Sequence, residues 1–214
     1  MKIGILFDLD GTLLDTLEDL YASINHVLSK LGYPQRTREE VRSFVGNGAR
    51  RLMEQAIPEG ANVDEALEAF LTHYNATCNG ATCPYPGIPE ALKKLGEKYP
   101  LAVVSNKPDS AVKPLCAHYF PGLIALGFTE GCPRKPAPDM VYKVLKEMDA
   151  DTCVYVGDSE VDVLTAKNAG VPCLSVLWGF RDKEEIEEAG GKVFCTDPTE
   201  MPAILEDMIK ALQS

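Results

Sequence analysis

Lys2-Ile3-Gly4-Ile5-Leu6-Phe7-Asp8-Leu9-Asp10-Gly11-Thr12 opens the chain and decides how the rest of it is read. An apolar run of strand length ends abruptly in two aspartates and a glycine, the pattern of a strand buried on both faces that runs out into a polar turn. Five more short runs, at residues 101–105, 123–126, 153–157, 172–177 and 192–195, join residues 2–7, and helical periodicity separates them. Strands alternating with helices in this way predict an α/β protein built on a parallel sheet covered by helices on both faces. The last helix carries Met201, Ile204, Leu205, Met208, Ile209 and Leu212 at three- and four-residue steps, one apolar stripe that docks on the sheet.

Between the first strand and Pro84 no strand-like run is found and amphipathic helices follow one another. Leu17, Leu20, Tyr21, Ile24, Val27, Leu28 and Leu31 mark the first of them, ended by Gly32 and Pro34. Thr37 with Glu40, and Asn62 with Glu65, have the capping-box spacing that opens two more. Pro84-Tyr85-Pro86-Gly87 stiffens the return. The pattern predicts an all-helical domain over residues 15–84 inserted into a core of residues 1–14 plus 85–214. Such an insert hangs from two neighbouring crossings and can close over a site.

The chain has 214 residues, 45% of them hydrophobic, with 21 Lys+Arg against 32 Asp+Glu and a formal charge of −11. That composition predicts an ordered globular protein, and the acidic balance argues against nucleic-acid or anionic-membrane partners. No apolar stretch approaches the ~20 residues of a membrane span, and the start lacks the apolar region of a signal peptide, so the expected location is the cytoplasm. Seven cysteines, odd in number and with no C-x-x-C pair, predict reduced thiols rather than a disulfide or zinc framework. His26, His73 and His118 show no ligand spacing.

Asp8 and Asp10 stand just past a strand end, the edge at which open α/β sheets bind ligands. Two unit charges about 4 Å apart at an effective dielectric near 20 repel by roughly 4 kcal/mol, so such a pair needs a cation or a retained proton. By itself the loop reads first as an acidic helix cap. Gly157-Asp158-Ser159-Glu160-Val161-Asp162 places a second set of carboxylates beyond a second buried strand, although Asp158 and Asp162 could also serve only to cap the next helix. Met across a sheet, Asp8, Asp158 and a backbone carbonyl make a hard all-oxygen site that suits Mg²⁺. Ser105-Asn106-Lys107 adds hydroxyl, amide and backbone donors at another strand end, and Lys135-Pro136-Ala137-Pro138 sets a lysine ahead of a rigid helix start.

The ordered set Asp8-Leu9-Asp10-Gly11-Thr12, Ser105-Asn106, Lys135-Pro136 and Gly157-Asp158-Ser159-Glu160-Val161-Asp162 resembles the four motifs of the haloacid dehalogenase superfamily, and within it the Mg²⁺-dependent phosphatases with a small helical cap. The resemblance implies a Rossmann-like, doubly wound parallel core with the first strand central, the helical insert being the cap. It implies a small-molecule phosphate ester as substrate, Asp8 as the nucleophile that forms an aspartyl-phosphate, and Asp10 as the acid and then base. It further implies Mg²⁺ on Asp8, the Asp10 main-chain carbonyl and Asp158. Lys135 and Ser105 would sit on the transferring oxygens, assisted by Asn106 and the Gly11 and Thr12 amides, with Asp162 in the outer shell orienting metal waters or Lys135. Asp10 argues for phosphoryl transfer over dehalogenation. Lys30 is the only lysine between Asp15 and Cys83, which disfavours the Schiff-base chemistry of related phosphonate hydrolases.

Val45-Gly46-Asn47-Gly48-Ala49-Arg50 resembles the cap loop of phosphoglycolate phosphatases, as does the region from Val161 through Trp178-Gly179-Phe180-Arg181. Free amides at a helix start favour an anion, and Arg50 or Arg51 could grip a carboxylate. The expected substrate is therefore a small phosphorylated acid such as 2-phosphoglycolate. Two alternatives stay open: a hexose-type phosphomutase that uses the same nucleophile and acid, and a ligand-sensing protein on the same fold.

Overall fold

The first strand, β1 (Ile3–Phe7), is buried along its whole length, and the molecule is arranged around it. The computed structural model describes residues 1–213. After β1 come β2 (Leu14–Asp15), α1 (Leu17–Lys30), α2 (Arg38–Phe44), α3 (Ala49–Ala56), α4 (Val63–Thr77) and β3 (Cys83–Pro84). The chain continues through α5 (Ile88–Gly96), β4 (Leu101–Pro108), α6 (Asp109–Tyr119), β5 (Ile124–Phe128), α7 (Asp139–Glu147) and β6 (Thr152–Gly157). It ends with α8 (Glu160–Ala169), β7 (Cys173–Val176), α9 (Lys183–Glu188), β8 (Phe194–Cys195) and α10 (Met201–Gln213).

Six of the strands form one parallel sheet in the order β5-β4-β1-β6-β7-β8. Side chains alternate between its faces, and both faces are covered. Ile3, Ile5 and Phe7 join a cluster with α5, α6 and α10, through Leu92, Leu115, Leu205 and Ile209. Leu6 joins a second cluster with Met140, Val141 and Val144 of α7 and Ala166 of α8. A run apolar on every residue is what burial on both faces demands, so the fold is the doubly wound, Rossmann-like α/β architecture. Strand order reverses at β1, so the ends of β1, β4 and β6 share one crevice.

β4 runs to Pro108, three residues beyond the expected end at 105, with its pairing to β5 irregular between Val104 and Pro108. This extension carries Ser105, Asn106 and Lys107, all buried, onto the crevice. The other strands match their expected positions to within two residues.

The helices α1 to α4 lie between β2 and β3, which pair antiparallel, Leu14 with Pro84 and Asp15 with Cys83. The expectation of no strand before Pro84 is corrected here: two residues are too few to show alternation. The Thr37–Glu40 capping box forms in both directions, and Asn62 accepts from the amides of Asp64 and Glu65. Asp19, buried in the first turn of α1, accepts from the amides of Ala81 and Thr82 and so ties the start of the insert to its exit. The seven cysteines are free thiols, and among the described residues no helix is long and apolar enough to cross a membrane.

One side chain bolts the helical layer onto the sheet. Arg181, after β7, is 7% exposed and donates to the carbonyls of Arg42 (3.2 Å), Ser43 (3.2 Å) and Val45 (2.6 Å), while its Nε meets Glu160 at 3.1 Å. These are carbonyls at the C-terminal end of α2 and just beyond it, groups a helix leaves without partners. Arg181→Met is expected to lower the free energy of unfolding by roughly 2–3 kcal/mol, because it strands buried carbonyls that a charged donor now satisfies. Chemical denaturation measures this, and a loss below about 0.5 kcal/mol would show that the loop holds itself.

Candidate active site

The Asp8 amide donates to the Val156 carbonyl at 2.9 Å, carrying the β1–β6 pairing one step past the strand and delivering the Asp8 carboxylate to the crevice. The chain then turns tightly: Gly11 N donates to Leu14 O (2.9 Å) and Thr12 N to Leu9 O (3.3 Å). Gly11 has a φ of +82°, and a Cβ there would lie 2.3 Å from Asp158 Oδ2. Only glycine satisfies both demands, so the first and fourth loops interlock at this point.

Asp158 is held on both oxygens, by Thr12 Oγ1 (2.9 Å) and the Phe180 amide (2.8 Å). Asp162 closes a capping box on Ser159, accepting from its amide (3.2 Å) and hydroxyl (2.6 Å), and its other oxygen receives Lys135 Nζ at 2.8 Å. The same ammonium stands 2.9 Å from Asp8 Oδ1, close enough for an ion pair but outside hydrogen-bond angles, which leaves that buried oxygen without a hydrogen bond. Of the two tasks expected for Asp162, orienting Lys135 is the contact present.

Oxygens of Asp8, Asp158 and Asp162 approach within 4.8 Å of one another, and all three residues are buried. One ammonium faces three carboxyls. Burial pushes Asp8 up to about 7, with Lys135 pulling down and the Asp162 and Asp10 charges pushing further up. Burial, then Asp162 and Asp8, push Asp158 up to about 8. Burial works against the charge on Lys135, but Asp162 and Asp8 outweigh it and hold the ammonium form. A hard divalent cation fits this donor set: all-oxygen ligands, excess negative charge, and an oxygen of Asp8 without a hydrogen bond.

Asn106 has a different use from the one expected. Its Oδ1 accepts from Lys135 N (2.8 Å), and its Nδ2 donates to Lys135 O (3.0 Å) and Gly46 O (3.1 Å). The side-chain amide is thus fully committed to setting Lys135 and the cap loop, with no donor left for a ligand. The amides of Gly11 and Thr12 are likewise engaged in their turn, whereas those of Leu9 and Asp10 make no hydrogen bond within the described residues. Ser105 Oγ accepts from Lys107 N (3.3 Å) and keeps its own proton to donate.

A cleft lies between the layers, lined from the sheet by Asp8, Asp10, Ser105, Asn106 and Lys107, and from the helices and the loop after α2 by Leu20, Val45, Gly46, Leu52, Phe70 and Tyr74. Arg50 is not among the lining residues although Ala49 and Leu52 beside it are: its guanidinium turns out to pair with the exposed Asp64 of α4. Lys107 and Tyr74 were not among the expected site residues. Lys107 Nζ reaches Asp10 Oδ1 (2.9 Å), Asp10 Oδ2 (3.2 Å) and the Tyr74 hydroxyl (2.6 Å). Burial opposes its charge, and Asp10 and Tyr74 raise its pKa regardless. A lysine directly after Ser105-Asn106 was the available signal; nothing in the helical period of α4 singles out Tyr74.

The profile described as haloacid dehalogenase-like hydrolase matches residues 5–176. The chain is 35% identical to the phosphoglycolate phosphatase of Agrobacterium fabrum, covering 95% of this chain and 93% of that one. It is 33% identical to the phosphoglycolate phosphatase of Rhodobacter capsulatus, covering 96% and 98%. The crystal structure of a candidate phosphoglycolate phosphatase from Lactobacillus delbrueckii subsp. bulgaricus superposes with a TM-score of 0.87 at 36% identity, over 96% of this chain and 99% of that one. With the profile spanning the loops that carry Asp8, Ser105, Lys135 and Asp158, the chain belongs to the haloacid dehalogenase-like hydrolase family.

Proposed function

We propose that the chain is a Mg²⁺-dependent phosphomonoesterase that works in the cytoplasm through an aspartyl-phosphate, with 2-phosphoglycolate, cleaved to glycolate and phosphate, as its best-fitting substrate. The observation that carries the reading is the convergence of Asp8 and Asp10 after β1, Lys135 after β5 and Asp158 after β6, with Asp8 and Asp10 facing the cleft beneath residues 15–84, the proposed cap. The named relatives support the substrate class.

Asp8 would attack phosphorus with its carboxylate, and the P–O bond to the alcohol would break as Asp10 gives that oxygen a proton. Asp10 would then take a proton from water as the water attacks the aspartyl-phosphate, freeing phosphate and restoring Asp8. Lys135, aimed by Asp162 and by the backbone clamp of Asn106, would bear on the transferring oxygens, with the Ser105 hydroxyl and the Leu9 and Asp10 amides. Asp8, Asp158 and the Asp10 carbonyl would hold Mg²⁺, with Asp162 behind them; when bound it offsets the repulsion between Asp8 and an anionic ester.

The apolar side chains of the helical wall disfavour a sugar. A hexose would set its hydroxyls against Leu20, Val45, Leu52 and Phe70, none of which can bond them.

Purified protein with Mg²⁺ is expected to release phosphate from 2-phosphoglycolate far faster than from hexose phosphates; comparable turnover of a hexose phosphate removes the substrate while leaving the chemistry. Asp8→Asn is expected to abolish turnover and Asp10→Asn to lower kcat by roughly 10²–10⁴-fold. Activity surviving in Asp8→Asn would end the aspartyl-phosphate reading. The raised carboxyls of Asp8 and Asp158 make a separate prediction for metal-free protein. A carboxyl whose folded pKa lies above the ~4 of the unfolded chain stabilises the fold while protonated, and that contribution is lost as pH rises through about 7–8. Metal-free protein should therefore melt at a lower temperature at about pH 8.5 than at about pH 6, and Mg²⁺ should restore the stability lost at the higher pH. Equal melting temperatures at the two values without metal would show that the carboxyls of Asp8 and Asp158 are not strained.

A further inference from the structure

Resting on the phosphatase reading, we propose that Lys107 and Tyr74 form the subsite for a second anionic group on the substrate, so that they select phosphorylated acids over neutral phosphate esters. Among the described residues lining the cleft, Lys107 is the only cation, and its side chain is 3% exposed. The side chains that line the cleft from the helices, Leu20, Leu52 and Phe70, cannot solvate an anion, which leaves only the backbone at Gly46, Gly48 and Ala49 to share that task with Lys107 and Tyr74. Arg50, the cation expected there, is held by Asp64.

Tyr74 supplies an independent observation. Its hydroxyl is buried and accepts from Lys107 Nζ at 2.6 Å, yet its own proton has no acceptor among the described residues. A buried donor without a partner on the wall of a cleft is set for a ligand acceptor. Placement agrees with this. In a phosphorylated 2-hydroxy acid the carboxylate lies two bonds beyond the leaving oxygen. Lys107 Nζ lies one hydrogen bond, 2.9 Å, beyond Asp10, the residue that would meet that oxygen. A carboxylate there would accept from the Tyr74 hydroxyl and, in place of the longer 3.2 Å contact to Asp10 Oδ2, from Nζ, adding to a Lys107–Tyr74 bond that already links β4 to α4.

The competing account is that Lys107 serves Asp10 alone, as a positioning residue. The two separate in the ratio of kcat/KM for 2-phosphoglycolate to that for ethyl phosphate, which lacks only the carboxylate charge and its oxygens. The ratio cancels both the folded fraction of a variant and any effect through Asp10, because each substrate leaves as a primary alcohol that takes its proton from Asp10. Wild-type protein should favour 2-phosphoglycolate by about 10- to 100-fold, the worth of a buried charge-assisted contact. In Lys107→Met the ratio should fall to within about 3-fold of unity, in Tyr74→Phe partway, and Lys107→Arg should keep part of it. An unchanged ratio in Lys107→Met overturns the subsite and leaves the phosphatase reading standing. Should Lys107→Met not fold, the ratio in Tyr74→Phe decides the matter. Wild-type protein that cleaves p-nitrophenyl phosphate but shows no preference for the carboxylated ester overturns the subsite and the substrate assignment. Failure to cleave any of the three esters ends the phosphatase reading and the subsite with it.

Discussion

One ammonium ion set among three carboxylates is the constraint on which the site depends. Asp8, Asp158 and Asp162 are brought together from β1 and from the loop after β6, and Lys135 touches two of them. Like charges at this separation would drive the strand ends apart in a buried setting unless something compensates. The fold answers with geometry. Asp158 is gripped on both oxygens, Asp162 is locked into its own helix cap, and Lys135 is clamped through its backbone by Asn106. What is left over is a net negative charge beside an Asp8 oxygen without a hydrogen bond, which is the property a cation and an electrophilic phosphorus both exploit.

Close approach of backbone makes that geometry possible. A Cβ at Gly11, Gly157 or Gly179 would fall 2.2–2.4 Å from a carboxylate of Asp158 or Asp162. The glycines are therefore not merely turn formers: each yields the volume that a carboxylate occupies. At Gly157 and Gly179 the backbone carries no left-handed φ, so space alone excludes a side chain there.

The parallel sheet, the helical insert, the capping box at Thr37 and the four acidic or basic loops were legible because each is a local pattern. The apolar run of residues 3–7 can only be a strand buried on both faces, and Asp8 and Asp158 each follow such a run directly. What escaped was decided by tertiary neighbours. Asn106 looks like a ligand donor until Lys135 and Gly46 are placed beside it. Arg50 looks free until α4 brings Asp64 against it. Lys107 and Tyr74 are far apart in sequence and meet only when α4 folds over β4. The β2–β3 pair was invisible because two residues cannot display a period.

That short pair has a consequence for how such a protein can change over evolutionary time. Leu14–Asp15 and Cys83–Pro84 lie side by side, so everything between them leaves and re-enters the sheet at nearly one point. A segment whose ends coincide can be lengthened, shortened or replaced as a cassette without altering the spacing of the strands it interrupts. The two walls of the cleft are then inherited separately: the carboxylates and Lys107 stay with the sheet, while Tyr74 and the apolar wall of Leu20, Leu52 and Phe70 travel with the cassette.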